Sequence, residues 1–250
     1  MKKLLFLLFL LATVPCVNAA NLKVMTYNIR NGLGMDGTRD FTRIAEVINR
    51  QAPDIVAIQE VDSMTNRCDR RYVLAELATL TGMLPYYSPA IDYDGGKYGV
   101  GFLTRVEPIG VRRVSLPGRE EKRTMIILEY DDYAVGDTHL SLTADDALAS
   151  VPIIECEADS IAPKPFILMG DFNSEPHSDV IRKLMDRFVN VCDFQEPSFP
   201  SYNPRRRIDY ILIANSPEAQ ILEATVVRGN LSSDHLPIVS SIALPTSAQE

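Results

Sequence analysis

Tryptophan is absent from this chain of 250 residues, histidine occurs three times and cysteine four times. Cysteines so sparse, with no pair at the close spacing of a zinc knuckle, exclude a disulfide-held miniprotein and a zinc-ribbon fold. Cationic side chains are also short: 25 Lys and Arg stand against 33 Asp and Glu, for a formal net charge of −8. That field repels polyanions at long range and disfavours general nucleic-acid binding, although a local basic patch or a bound cation can reverse its sign at a site. No apolar run is long enough to span a membrane; the longest, residues 4–14, is about half of what a bilayer requires. What is present, 46% hydrophobic and 23% charged residues, is the composition of an ordinary soluble globular protein.

The short apolar run has another use. Lys2 and Lys3 precede it and Val17-Asn18-Ala19 follows, so residues 1–20 have the build of a secretory signal cut after Ala19 or Ala20. Cys16 would offer a lipid anchor, but Pro15 stands where a lipidation signal needs a small residue, so export without lipid is the reading. The mature chain is then periplasmic or secreted, without stable membrane insertion, and residues 21–250 form one domain. A monomer is expected. Cys68, Cys156 and Cys192 remain in it, an odd number that allows at most one bridge by any of three pairings; buried or incidental thiols are expected.

Along the chain, residues 22–29, 55–58, 98–104, 124–129, 133–140, 166–169, 207–214, 221–227 and 237–243 read as strands. Helical spacing of apolar residues marks 41–51, 70–80, 143–162 and 178–188, with Pro152 expected to kink the third or to open its second half. About ten strands and four helices, without linker, repeat or low-complexity segment, fit two sheets packed face to face with helices outside. In the strand 207–214, alternation puts Asp209 on the face of Ile211 and Ile213.

A pattern runs through these strands: they end in polar residues that a strand does not need. In Phe166-Ile167-Leu168-Met169-Gly170-Asp171-Phe172-Asn173, four apolar residues are followed by a glycine turn, then by an acid and an amide two apart. On extended backbone that spacing puts Asp171 and Asn173 on one face, as oxygens suited to a hard cation or a phosphoryl group. Asn28, Glu60, His139, Asp209, Asp234 and His235 stand likewise at or just beyond apolar runs. Singly each has an ordinary explanation: Glu60 a loop cap, His139 a satisfied core histidine, Asp209 a partner of Arg207. Their joint occurrence does not.

Six motifs, in order, carry a resemblance: Tyr27-Asn28-Ile29, Gln59-Glu60-Val61, Thr138-His139-Leu140, Gly170-Asp171-Phe172-Asn173, Ile208-Asp209-Tyr210-Ile211 and Ser233-Asp234-His235. Over residues 22–244 the chain resembles the endonuclease/exonuclease/phosphatase superfamily. The resemblance implies a deoxyribonuclease I-like, four-layered α/β sandwich of two packed mixed or antiparallel sheets flanked by helices. It also implies phosphate-ester hydrolysis with a divalent cation, usually Mg²⁺, with Mn²⁺ as an alternative. By the same resemblance, Asn28, Glu60 and Asp234 are metal ligands, and Asp171 and Asn173 orient the attacking water and phosphoryl oxygens. His235 corresponds to the catalytic histidine, Asp209 to its carboxylate partner, and His139 to a histidine that holds a non-bridging phosphate oxygen. The physical case is parallel. A phosphodiester is anionic, so charge must be neutralised as it builds up in the transition state. A histidine held by a carboxylate can supply the proton chemistry, and water serves as nucleophile without a covalent intermediate.

The ester itself is less legible. Residues 98–105 match the family's glycine-rich strand loosely, without the asparagine of many nucleases, and Tyr98 is expected to be a packed strand aromatic. Arg205-Arg206-Arg207 is the best local basic patch, with a solvated loop as its more ordinary reading, while the mixed charges of 119–123 say little. An endonuclease-type phosphodiesterase is the first expectation, since no apolar hairpin for membrane binding is present. A sphingomyelinase-like phospholipid hydrolase and an inositol or sugar phosphate phosphatase are the alternatives on the same fold. A non-catalytic binding protein would have lost Glu60, Asp171 or His235, and all three are present. A plain interaction domain predicts that the polar residues scatter.

Overall fold

The computed structural model describes residues 19–245; residues 1–18, which hold Cys16 and most of the expected signal, lie outside the described residues. The first sheet contains β1 (Ala19–Asn28), β2 (Ile55–Ser63), β3 (Leu84–Tyr93), β4 (Gly96–Thr104), β11 (Gln220–Val226) and β12 (Ile238–Pro245), in the order β11-β12-β1-β2-β4-β3. The second contains β5 (Gly110–Leu116), β6 (Arg123–Glu129), β7 (Ala134–His139), β8 (Phe166–Asp171), β9 (Val189–Asn190) and β10 (Asp209–Ala214), in the order β5-β6-β7-β8-β10-β9. Helices α1 (Phe41–Gln51), α2 (Val73–Thr81), α3 (Ala144–Ile161) and α4 (Asp179–Leu184), with two short 3-10 helices at Arg30–Gly32 and Asn66–Cys68, complete the set among the described residues.

Strand alternation builds the layers. Ile167, Met169, Ile211 and Ile213 point inward and meet Val24, Ala57, Val100 and Phe102 of the first sheet. Their neighbours Phe166, Leu168, Tyr210 and Leu212 point outward onto Val151, Ile154, Val180 and Leu184 of α3 and α4. On the other side Met25, Tyr27, Val56 and Ile58 pack under Ile44, Ile48, Val73 and Leu77 of α1 and α2. Helices, sheet, sheet and helices make the four-layered α/β sandwich expected from the family resemblance. Burial on both faces explains why these strands are apolar almost without break. Each such side chain contributes about 1.5–3 kcal/mol.

Both parallel pairs, β1 with β2 and β7 with β8, are connected through a helix, α1 and α3 respectively. Asp40 caps α1 by accepting from the N–H groups of Thr42 and Arg43, and Ala52 ends it in the left-handed region. Polar ties join the two sheets close to their functional end. Gln59 Nε2 donates to Asp137 Oδ1 across 2.6 Å, and Ser88 and Thr124 share a hydroxyl hydrogen bond of 2.9 Å. Burial raises the Asp137 carboxyl well above the usual carboxylate range, with the Gln59 and backbone hydrogen bonds opposing.

Several boundaries differ from expectation, for local reasons. α2 begins at Val73 because Asp69 and Arg70 take left-handed backbone angles. α3 runs as one helix past Pro152, so that residue opens no second segment. α4 stops at Leu184, and the chain turns into β9 to pair with β10. β3 and β5 are additional strands, both at sheet edges. β2 continues beyond Glu60 to Ser63, with a bulge between Ile58 and Val61 in its pairing with β4. Cys68, Cys156 and Cys192 are free thiols, Cys68 and Cys192 buried and Cys156 exposed.

Candidate active site

Register brings the strand-end residues together. Asp209 pairs with Asp171 across β10 and β8, His139 pairs with Asp171 across β7 and β8, and Asn28 pairs with Gln59 across β1 and β2. All these partners lie at one end of the sandwich. The sheets meet there through a side chain: Asn28 Nδ2 donates to Glu60 Oε1 and to Asp171 Oδ2, 3.0 Å in each case.

Local backbone explains how each group is aimed. Gly170 has φ of +146°, and a Cβ there would lie 1.9 Å from the Thr138 carbonyl oxygen, so only glycine lets β8 approach β7 this closely. Asn173 is left-handed at φ of +49°, its N–H donating to Asp171 Oδ1 at 2.9 Å and its Nδ2 to the Leu140 carbonyl at 3.0 Å. Glu60 is left-handed too, at φ of +58°, inside the bulge of β2. A bulge re-aims a side chain, and here it turns the carboxylate to Asn28.

His235 comes from the loop before β12. Its Nδ1 lies 3.1 and 3.0 Å from the two Asp209 oxygens, and its Nε2 lies 3.6 Å from Asp171 Oδ2. Ser198 donates to Asp209 Oδ2, and the Phe199 ring packs on the imidazole at a centroid distance of 4.7 Å. Ser233 fixes the loop by donating to the Asn28 carbonyl at 2.8 Å. Asp234, more exposed, pairs with Arg30 at 3.3 Å. Asn28, Glu60, His139, Asp171, Asn173, Asp209, Asp234 and His235 therefore cluster at one end of the sandwich.

The alternative partner for Asp209 does not materialise. Arg207 turns into the outer layer, where it donates to the Glu196 carbonyl at 2.8 Å and lies over the Tyr210 ring. Arg206 pairs with Glu175 at 2.8 Å and Arg207 is buried, so of the three only Arg205 stands exposed without a carboxylate partner among the described residues. Tyr98 is packed, as expected, at 8% exposure. Arg123 is the residue missed. It is buried, with Nη1 3.3 Å from His139 Nδ1 and 2.8 Å from Glu121 Oε1. Its signal in the sequence was position, since it opens the apolar run of β6 as the others close theirs.

Charge sorts the two histidines. Burial alone would lower His235, but the charges of Asp209 and Asp171 and the bond to Asp209 push it up to about 10. Burial holds His139 well below the usual imidazole value, and the charges of Arg123 and His235 reinforce this. A neutral His139 accepts from Arg123 at Nδ1, which leaves the proton on Nε2, 3.5 Å from Asp171 Oδ2. Asp171 is pushed up to about 7, first by burial and then by the charge of Asp209, against the pull of His235. Burial also raises Glu60, with the Asn28 hydrogen bond and the His235 charge opposing.

A hard cation fits this set. Glu60 and Asp171 are acidic oxygens drawn to one amide nitrogen, and burial disfavours their charged forms, a cost that a divalent ion would offset. Asp171, Asp209 and His235 also bring one donor atom each within 4.8 Å of one another. Both ring nitrogens of His235 already face carboxylates, so that trio suits proton transfer, and the oxygens of Asn28 and Glu60 suit the ion.

Two facing sheets with a histidine–carboxylate pair and clustered oxygens at one end define a deoxyribonuclease I-like phosphoesterase architecture. The chain belongs to the Endonuclease/Exonuclease/phosphatase family, whose profile it matches over residues 25–235. The family acts on phosphate esters and is typically dependent on a divalent metal. Solved structures share the fold. A family protein from Bacteroides vulgatus is 17% identical, with a TM-score of 0.74 over 90% of this chain and 99% of that one. The human nocturnin catalytic domain with bound sulfate is 21% identical, with a TM-score of 0.68 over 90% and 94%. A mannosyl-6-phosphatase from Bacteroides thetaiotaomicron is 17% identical, with a TM-score of 0.69 over 88% and 99%.

Proposed function

We propose that this protein is an exported hydrolase of small phosphate esters, dependent on Mg²⁺ or Mn²⁺, in which water is the nucleophile. The observation that carries the reading is Asp171, its carboxyl pushed up to about 7, between one charged and one neutral histidine. His235 already holds its proton, so Asp171 is the group that accepts one from water, with Asn173 beside it to orient the attack. The His139 Nε2–H and the charged His235 Nε2–H both point across the Asp171 carboxylate and donate to phosphoryl oxygens as charge accumulates. Asp209 and Ser198 hold His235 in its tautomer. Asn28, Glu60 and Asp234 would hold the divalent ion, which would supply neutralisation of the ester's charge.

A small ester is favoured over the endonuclease expectation because three arginines near the site are already paired. Arg30, Arg67 and Arg123 are each committed to a carboxylate, Asp234, Asp62 and Glu121. A polynucleotide needs several further phosphates neutralised. Sugar phosphates join the test because a neighbour in fold acts on one by its name.

Purified protein is to be assayed on plasmid DNA, RNA, sphingomyelin, inositol phosphates, sugar phosphates and bis-p-nitrophenyl phosphate, with Mg²⁺, Mn²⁺ and EDTA. Turnover of a small ester that EDTA abolishes is expected. Glu60→Gln should raise the cation concentration for half-maximal rate and lower the rate itself. Equal turnover in EDTA, or hydrolysis of none of these esters, overturns the reading. Export predicts a mature N-terminus at Ala20 or Asn21; a diacylglyceryl group on Cys16 would contradict it.

A further inference from the structure

Beyond the bulge of β2 the chain builds a second feature. A hollow of about 690 Å³ opens there, lined by Met64, Tyr72, Asp92, Tyr93, Asp94 and Lys97 among others. Two of its side chains are aromatic and open to solvent, Tyr72 at 61% and Tyr93 at 41%. Its floor begins at Ser63, three residues past Glu60, or roughly 10 Å along the strand at ~3.3 Å per residue. Tyr98 fills the interval. It lies next to Gly99, which pairs with Val61 at the bulge, and its ring centroid is 6.0 Å from that of Tyr93.

The aromatic wall is held firmly. Arg67 grips the buried Asp62 through Nε at 2.6 Å and Nη2 at 2.7 Å. Its guanidinium lies 4.4 Å from the Tyr93 centroid and 5.4 Å from that of Tyr98. Asp94 accepts from the Arg67 N–H at 2.6 Å and from Asn66 Nδ2 at 3.2 Å, which ties the β3–β4 turn to the loop after β2. The Tyr72 backbone bridges to Ser63 and so places the second ring on the same hollow. Tyrosines presented to water on a braced backbone offer flat contact area at low entropic cost.

We propose that this hollow is a subsite for a glycosyl ring, one sugar removed from the ester, so that the substrate is a phosphorylated glycan. The chemistry of the lining selects this ligand. A sugar has a C–H face that packs on Tyr72 and Tyr93, and an edge of hydroxyls. Asp92 and Lys97, an exposed ion pair, offer that edge an acceptor and a donor. An acyl chain finds three charged groups here, and a neighbouring phosphate of a polynucleotide would meet Asp92 and Asp94. The inference rests on the phosphoesterase reading for the ester, but the ring subsite can be tested without turnover.

Binding is measured first, with an unphosphorylated disaccharide on the His235→Ala protein. Since the chain lacks tryptophan, tyrosine absorbance and fluorescence report directly. A saturable change is expected, and its loss in Tyr72→Ala and in Tyr93→Ala; Tyr93→Phe, which keeps the ring, retains it. Kinetics follow on the otherwise native protein with a 6-phosphorylated disaccharide and with glycerol phosphate, which has no ring. The ratio of kcat/KM for the two should fall about three- to tenfold in either alanine variant, the range expected for one aromatic contact, through KM. No saturable signal, or an unaltered ratio, overturns the subsite; so does a ratio that shifts for nucleotides instead. Failure of the wild type to hydrolyse any ester would strike the phosphoesterase reading and leave the binding result to decide the subsite.

Discussion

His139 and His235 face the same oxygen. Their Nε2 atoms lie 3.5 and 3.6 Å from Asp171 Oδ2, and both rings are almost fully buried. They nevertheless differ in charge, because the second nitrogen of each ring has a different neighbour. His235 Nδ1 meets a carboxylate, Asp209, and holds its proton to about pH 10. His139 Nδ1 meets a guanidinium, Arg123, and stays neutral. One residue type thus supplies a charged donor and a neutral donor a few ångströms apart. The partner behind the ring sets the role, and burial amplifies that choice.

Removing the charged corner should have the largest effect. His235→Ala is expected to lower kcat by about 10²–10⁴-fold. Asp209→Asn should lower it less, and the double variant should be little worse than His235→Ala, because the two act as a unit. Losses that multiply, at unchanged Tm, would break the pairing of Asp209 with His235. The neutral corner is expected to be less costly. Arg123→Met should reduce kcat on the order of ten- to a hundredfold, as when an orienting partner is lost. It should also raise the His139 pKa, which NMR titration of the ring reads; an unmoved pKa would show that Arg123 has no part in keeping the ring neutral.

The smallest effects are in stability, and they run in opposite directions. The folded pKa of His235 lies above its unfolded value of about 6.5, so its contribution is complete below that pH and is lost as pH rises through about 10. His139 lies below it, so the unfolded chain binds a proton first and stability declines as pH falls under about 6.5. Asp171, raised to about 7, adds a loss on going from about pH 4 to 7, so the histidines are read as differences between variants. In EDTA-treated protein, His235→Ala should flatten the alkaline limb of Tm against pH, and His139→Ala the acidic limb. The same limb flattened by both would erase the contrast.

Much of this site was legible in the sequence, and the reason is chemical. A polar residue at the end of a buried strand has no packing duty, so Asn28, Asp171, Asp209 and their fellows were visible as exceptions. Arg123 escaped because Glu120, Glu121 and Lys122 surround it with charges that read as solvated surface. Arg205-Arg206-Arg207 is the converse case, since burial of Arg207 and pairing of Arg206, not spelling, decide whether arginines form a patch. The sandwich followed from alternation, but its rims did not. β3 carries Pro85 and Pro89, and β5 carries Arg112 and Arg113, residues that edge strands tolerate and that weaken any strand pattern. Nothing local announced the bulge at Glu60, which depends on how β2 pairs with β4.

That bulge makes Glu60 a liability to the fold it serves. A residue with a Cβ in the left-handed region is disfavoured by about 1–2 kcal/mol, and a carboxylate drawn out of water is disfavoured again. Glycine at that position would relax the backbone and leave no acid to bury. Selection for stability alone would favour losing the carboxylate, so Glu60 sets a cost to the fold against what an acid can do at this end of the sandwich.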